Sequence, residues 1–378
     1  NDRKSINKGY RFVGSLFAEV KFLDNFTWRS QVYTDLGFNN SRGYTPISFT
    51  SIELGEDAVP TRYFDNPNSR TSVRQKAEEF RKFQQDHTLN YTKKLGDHNI
   101  TGLIGITTIH ESSTNLEGSR TDTRLIIPDD PDLWYVGLPS NDISNPVNLV
   151  GGGGNRSSVG AFARANYAYK DRYLLNASIR RDGISRLSPQ NRWGTFGSVG
   201  LGWVISEEEF FKNIKGIDFL KLRGAWGNTG NASGIDDFIF IPGLTTSGSG
   251  VFGDNVYPGV AQAYLPDPNL RWESIRGIDI GFDLKALNNK LSAEVVYYDR
   301  KSKDIITNIT LPGSTGISRY VTNAGNISNK GFEVALGWTD NITKDWKYSI
   351  SPNFSYNKNK VESIGDKFDF VLSGNGGV

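Results

Sequence analysis

Between Gly160 and Ser206, apolar and polar side chains alternate along three successive runs, Ala161 to Tyr169, Leu175 to Arg181 and Trp193 to Ile205. A period of two sends alternate side chains to opposite faces of a strand, so the stretch predicts three strands with two unlike faces. Leu175, Ala177, Ile179, Val199, Leu201 and Trp203 fill one face. Arg164, Asn166, Asn176, Ser178, Arg180 and Asp182 fill the other. A sandwich would bury the apolar face against a second sheet, whereas a membrane barrel would turn it to lipid.

The same period recurs along the chain. Tyr10 to Phe22 and Phe26 to Val32 form a hairpin about Asp24-Asn25, and Phe80 to Thr92 and Asn99 to Ser112 form a second about Lys94 to Asp97. Leu220 to Gly227 is a strand. Ile278 to Leu284 pairs with Ala293 to Tyr298 across Asn288-Asn289, and Phe332 to Trp338 pairs with Trp346 to Phe354 across Asp340 to Asp345. Between these hairpins the period lapses and Gly, Pro, Asn and Ser accumulate, which predicts long loops at about 38–78, 113–156, 229–269 and 304–330. Glu207 to Lys212 is expected to be a short helical cap with Ser206 as its N-cap.

About twelve strands thus alternate between short turns and long loops. An outer-membrane barrel has this layout, with short periplasmic turns at one rim and long extracellular loops at the other; a Greek-key sandwich has no reason to put every long loop at one end. Ring side chains near the strand ends (Phe22, Phe26, Trp28, Tyr169, Tyr173, Trp193, Trp203, Trp226, Trp338, Trp346) are placed as interfacial girdles or, in a soluble sheet, as core. Glycines inside strands, Gly197, Gly200, Gly202, Gly224, Gly227, Gly281 and Gly337, cost stability unless something approaches the backbone closely, such as a body packed inside a barrel.

Composition removes several alternatives. Lys plus Arg number 43 against 41 Asp plus Glu, so a net charge of +2 gives no reason to expect nucleic acid as a partner. The absence of Cys excludes disulfides, cysteine zinc sites and a cysteine nucleophile. No run approaches the roughly 20 apolar residues of a membrane helix. The chain holds no Met, starts at Asn1 without a leader and ends after Ser373-Gly374-Asn375-Gly376-Gly377; the expectation is an internal piece of a longer polypeptide.

Motifs for chemistry are weak. Gly248 to Gly253 matches a dinucleotide pattern in form, but no strand feeds it and Pro258 follows where a helix should run; Gly151 to Gly154 lacks the Lys-Ser/Thr of a phosphate loop and reads as flexible. His87, His98 and His110 are not spaced for a shared metal. Asp129, Asp130 and Asp132 read as a solvated turn rather than a calcium loop. No nucleophile elbow or distinguishable carboxylate pair occurs. Neither catalysis nor a cofactor is expected.

Arg180-Arg181-Asp182-Gly183, Asn191-Arg192-Trp193-Gly194, Gly202-Trp203 and Ser206-Glu207-Glu208 resemble the barrel of SusC/RagA-type TonB-dependent transporters of the Bacteroidetes outer membrane. Further matches follow in order: Leu220-Lys221-Leu222-Arg223, Gly227 to Asn231, Asn269-Leu270-Arg271-Trp272-Glu273, Tyr297 to Arg300, Asn329 to Glu333 and Asn353 to Asn359. The match is specific from about Gly160 to Lys360 and compatible upstream.

The resemblance implies an all-β, up-and-down transmembrane barrel of about 22 strands. This chain would supply the middle strands, with the plug and terminal strands absent. It also implies import energised by TonB, a SusD-like surface lipoprotein as lid, and an oligosaccharide or peptide as cargo. A passive porin or adhesin barrel and a soluble β-rich binding module are the alternatives. Leu175, Ile179, Leu201, Ile280, Phe282, Val334 and Leu336 are expected to face lipid. Arg164, Asn166, Arg180, Asp182, Arg223, Asp279, Asp283, Glu294 and Glu333 are expected to face the lumen or plug. Loop aromatics Trp134, Tyr135, Phe238, Phe252, Tyr257 and Tyr264 are candidates for gripping cargo.

Overall fold

A computed structural model describes residues 4–46, 49–54, 60–65, 70–121, 129–137, 147–317 and 319–364. In chain order the strands are β1 (Lys4–Phe22), β2 (Phe26–Thr45), β3 (Phe49–Leu54), β4 (Pro60–Asp65), β5 (Ser72–Leu95), β6 (His98–Thr121), β7 (Asn148–Tyr169), β8 (Tyr173–Ile184) and β9 (Trp193–Val204). They continue as β10 (Ile217–Asn231), β11 (Leu244–Phe252), β12 (Asn255–Gln262), β13 (Leu265–Pro266), β14 (Glu273–Ala286), β15 (Leu291–Thr310), β16 (Arg319–Asn341), β17 (Lys347–Ile350) and β18 (Asn353–Ile364). A 14-stranded sheet runs β1-β2-β5-β6-β7-β8-β9-β10-β14-β15-β16, with β13, β17 and β18 also pairing with β16. Hairpins β3–β4 and β11–β12 form two-stranded sheets of their own.

Neighbours in sequence are neighbours in the sheet because most turns at one end are too short to reach past the adjacent strand. Lys170 and Asp171 have φ of 52° and 53°, and Arg172 N–H donates to Tyr169 O at 3.0 Å. Two successive positive φ values make a primed turn, whose twist matches that of the strands it joins. Leu23-Asp24 and Leu287-Asn288-Asn289 use the same left-handed region, and Gly96 serves the β5–β6 turn at φ 57°.

Three expectations are corrected. The loops predicted at 38–78, 113–156, 229–269 and 304–330 each contain strand: β2 continues to Thr45, β5 begins at Ser72, β6 reaches Thr121, β7 begins at Asn148, and β15 and β16 leave only 311–318 between them. Pro128 and residues 365–378 lie outside the described residues. The glycine run Gly151 to Gly154 is not a flexible loop but part of β7. A Cβ on Gly153 would sit 2.8 Å from Ser113 O, so a neighbouring backbone occupies the space a side chain would need. Finally, Glu207 to Lys212 is not a helix capped by Ser206. A 3-10 turn spans Ile205–Glu207 with Val204 at the N-cap, and Glu208 follows in extended backbone, held there by side-chain bonds to β8 and β9.

Contacts divide the chain into two units. The first comprises Asn1–Leu16, Gln31–Gln85 and Ile109–Ser157; Tyr44, Val73 and Trp134 form its buried core, with Ile6 and Val136 packed on it. The second comprises Phe17–Ser30, Asp86–Thr108 and Ser158–Val378. Its buried core is Leu187, Ile235, Ile239, Leu270 and Val321, all on or beside the long connections.

Candidate functional site

Within the second unit the register settles which side chains share a face, because directly paired residues point the same way. Leu175 pairs with Leu201, Leu201 with Gly224, Gly224 with Ile280, Ile280 with Tyr297, Tyr297 with Phe332 and Phe332 with Tyr356. Phe282, Val295, Val334 and Phe354 make a second row, Leu284, Ala293 and Leu336 a third, and Ile179 joins through Gly197. All seven residues expected to face lipid therefore lie on one apolar face, and that face is open: Leu201 is 62% and Ile280 59% exposed. In water, so large a contiguous apolar surface would be an aggregation site.

The opposite face is polar and collects the other predicted set. Arg164 pairs with Ser178, Asn166 with Asn176, and Asp182 with Gly160. Asn176 pairs with Gly200, Gly200 with Ala225, Ala225 with Asp279; Asp283 pairs with Glu294, and Glu333 with Val296. Arg223 Nε donates to Asp283 at 3.0 Å and its Nη2 to Glu294, while Lys221 lies 3.5 Å from Asp283 and Arg300 3.2 Å from Asp279. Each such exposed pair contributes only about 0–1 kcal/mol; the consequence is a face studded with charge yet locally balanced. Because Gly200 and Gly202 place no side chain there, a hollow of about 420 Å³ opens between Asn166, Asn176, Lys221, Arg223 and Asp279.

The short-turn rim is fastened by one carboxylate. Glu208 accepts from Tyr173 Oη at 2.6 Å, Trp203 Nε1 at 3.0 Å and Arg172 Nη1 at 3.2 Å. The Tyr173 hydroxyl first, then the Trp203 indole and the Arg172 guanidinium, hold its carboxyl below the ordinary 4.5.

The loop aromatics fall apart as a set. Trp134 is 2% exposed and stacks on Tyr44 at 5.5 Å, so it is core of the first unit. Tyr264 packs on the Leu187 cluster and donates to Ile241 O at 2.6 Å, which makes it structural too. Tyr135 is exposed beneath the Arg42 guanidinium, 4.5 Å from its ring centre. Phe238 is an exposed turn residue at φ 55°, and Phe252 and Tyr257 meet edge to face at 6.0 Å on the exposed β11–β12 hairpin. The histidines go to separate partners, His87 to Ser30, His98 to Tyr167 and His110 to Ser157. Sequence reasoning misses Phe162 and Phe196, which sit on the polar face beside Arg180; the available signal was a ring at polar parity two residues from a glycine, in Gly160-x-Phe162 and Gly194-x-Phe196.

One apolar face open to its surroundings and one polar, charge-balanced face define the wall of a transmembrane β-barrel. The sequence matches the family described as TonB dependent receptor-like, beta-barrel, over residues 1–375. SusC, a TonB-dependent receptor of Bacteroides thetaiotaomicron, is 34% identical over 384 residues, covering 98% of this chain and 35% of its own length. TonB-dependent receptor P39 of Formosa agariphila is 29% identical over 381 residues, with 98% and 33% covered. The solved structure of the RagAB peptide transporter superposes with a TM-score of 0.81 at 22% identity, covering 97% of this chain and 38% of that one, which shows the fold. The chain therefore belongs to the TonB-dependent receptor β-barrel family, and its place is the bacterial outer membrane. It spans about a third of the length of the curated relatives it matches.

Proposed function

We propose that the chain is wall from the middle of a larger barrel that imports a nutrient across the outer membrane, energised through TonB and assisted by a SusD-like surface lipoprotein. The cargo is an oligosaccharide or a peptide. The predicted lumen residues line the path or seat a plug, and the long-connection rim faces the cell exterior. The observation that carries this reading is the pairing of an open apolar face with a charge-balanced polar one in a family of TonB-dependent receptors. A soluble binding module has no use for that apolar face, and a barrel for neutral cargo has no need of a net field on the polar one.

The test is uptake of labelled oligosaccharides and labelled peptides by cells carrying the full-length protein, with TonB present or deleted. Uptake of one class that disappears without TonB is expected. Equal uptake in both backgrounds would make the protein a passive pore and overturn the proposal.

A further inference from the structure

On the apolar face, the row of Ile280, Tyr297, Phe332 and Tyr356 is the last without charge. Two residues nearer the long-connection rim, and so on the same face, Ile278 pairs with Asp299, Asp299 with Lys330 and Lys330 with Lys358. Two residues further, Arg276 pairs with Lys301, Lys301 with Ser328 and Ser328 with Lys360. Across β14, β15, β16 and β18, then, two rows bring together five cations and a single carboxylate. Arg276, Lys330, Lys358 and Lys360 are exposed.

This charge is confined to one side and one stretch of the wall. Followed the other way from Ile278, the first row continues through Trp226, Val199, Ala177 and Ala165, none of them charged. At the same height the opposite face carries Asp279, Tyr298, Gly331 and Asn357 in one row and Gly277, Arg300, Asn329 and Asn359 in the next. Its cation, Arg300, is matched by Asp279 at 3.2 Å.

Two of the pairs on the apolar side set like against like: Arg276 opposite Lys301, and Lys330 opposite Lys358. Like charges directly opposite each other destabilise a sheet. The polar face shows how the chain relieves such a pair, since Asp283 stands opposite Glu294 and Arg223 donates to both. On the apolar side the relief is incomplete. Asp299 lies 2.8 Å from Lys330 and Glu362 lies 3.8 Å from Lys301, but among the described residues no carboxylate pairs with Arg276, Lys358 or Lys360.

The missing counter-charge is anionic, and it would sit beside rings: Phe332 and Tyr356 border the cations with their centres 5.9 Å apart. A ligand that satisfies both neighbours carries its anion at one end and a long apolar body behind it. Lipids with a phosphate headgroup have that form, and lysine binds phosphate as a point charge. A free anion would leave the rings and the apolar rows behind them uncovered.

We infer that Arg276, Lys301, Lys330, Lys358 and Lys360 bind the headgroup phosphate of an outer-leaflet lipid whose acyl chains lie over Tyr297, Phe332 and Tyr356. This rests on the import reading only for its orientation, with the long-connection rim outside, and it holds for either cargo. The experiment uses the detergent-solubilised full-length protein and native mass spectrometry. Monophosphorylated lipid A and its dephosphorylated form are the probes, and inorganic phosphate is the competitor. Lys358→Gln with Lys360→Gln removes two charges without orphaning a carboxylate among the described residues. Lys358→Arg with Lys360→Arg is the conservative variant, and Lys344→Gln with Lys347→Gln removes equal charge at the short-turn rim. Folding is checked by heat-modifiable migration.

The wild type is expected to retain the phosphorylated lipid in preference to the dephosphorylated one, with inorganic phosphate failing to displace it. Retention should fall roughly tenfold in the Lys358 and Lys360 double Gln variant and persist in the double Arg and short-turn variants. Equal retention of both lipids, unchanged retention in the double Gln variant, or displacement by inorganic phosphate would overturn the site. So would absence of retention, which would mean that other parts of the full-length protein supply the counter-charge. Lipid retention that depends on these lysines, in a protein whose uptake does not need TonB, would uphold the lipid site and overturn the import reading.

Discussion

Leu187 lies just before β9 and Leu201 within it, yet Leu187 is wholly buried and Leu201 is 62% exposed. Leu187 belongs to the rim, where Ile235, Ile239, Leu270 and Val321 close round it and some polar side chains pair close by. Asp267, for example, accepts from Thr322 Oγ1 and from Asn269 N–H within the same rim. Leu201 belongs to the middle of the strands, where apolar residues share one open face and polar ones the opposite face. The difference teaches that one chain is written for two solvents, and that apolar density alone does not locate its core.

That comparison can be broken most forcefully at the rim core. Leu187→Ala should cost about 2–5 kcal/mol of local stability, as for other buried Leu→Ala changes. The loss should show as faster hydrogen exchange in 185–192 and 232–272, with membrane assembly intact; loss of assembly would mean that the rim and the wall are one cooperative structure. Next in size, Ile280→Arg should cost about 2–4 kcal/mol if that face meets the bilayer midplane, and assembly, read by heat-modifiable migration, should fail. Asp279→Arg, one residue away on the polar face, should leave assembly near normal. Equal tolerance at both positions would sink the facing assignment.

The smallest effect concerns the opposite rim. Glu208 has its pKa lowered on folding, so its bonds to Tyr173, Trp203 and Arg172 add stability that is present above the unfolded value and lost as pH falls through the folded one. The wild type should be more resistant than Glu208→Gln to proteolysis within 205–216 at neutral pH. The gap should close as pH falls below about 4.5. A gap that does not change with pH would mean that the carboxylate's charge is irrelevant there.

The strands legible in the sequence were those whose two faces meet different surroundings. Along the three runs between Ala161 and Ile205 the period of two holds, and the facing of Ile280 against Asp279 could be read directly. Where β2 runs on through Phe38 to Thr45, or β7 begins with Asn148 to Asn155, the backbone ladder persists but the alternation does not. Outside an apolar layer neither face is obliged to be hydrophobic, so the strand leaves no periodic trace. The loop aromatics divide for a related reason: an aromatic on a connection can serve its packing, as Trp134 and Tyr264 do, and the sequence holds no mark that separates these from exposed Phe252 and Tyr257. Phe162 and Phe196 stayed hidden because they interrupt an otherwise polar parity.

The β11–β12 hairpin lends itself to exchange. Its ladder closes on itself from Leu244↔Gln262 to Phe252↔Asn255, and at its base Ala263 N–H donates to Gly243 O at 2.8 Å. Among the described residues, no strand of the 14-stranded sheet depends on it for a hydrogen-bonded neighbour. A lineage could therefore lengthen, shorten or replace the segment between Leu244 and Gln262 without renegotiating the register of the wall, so that this rim is free to change faster than the wall that carries it.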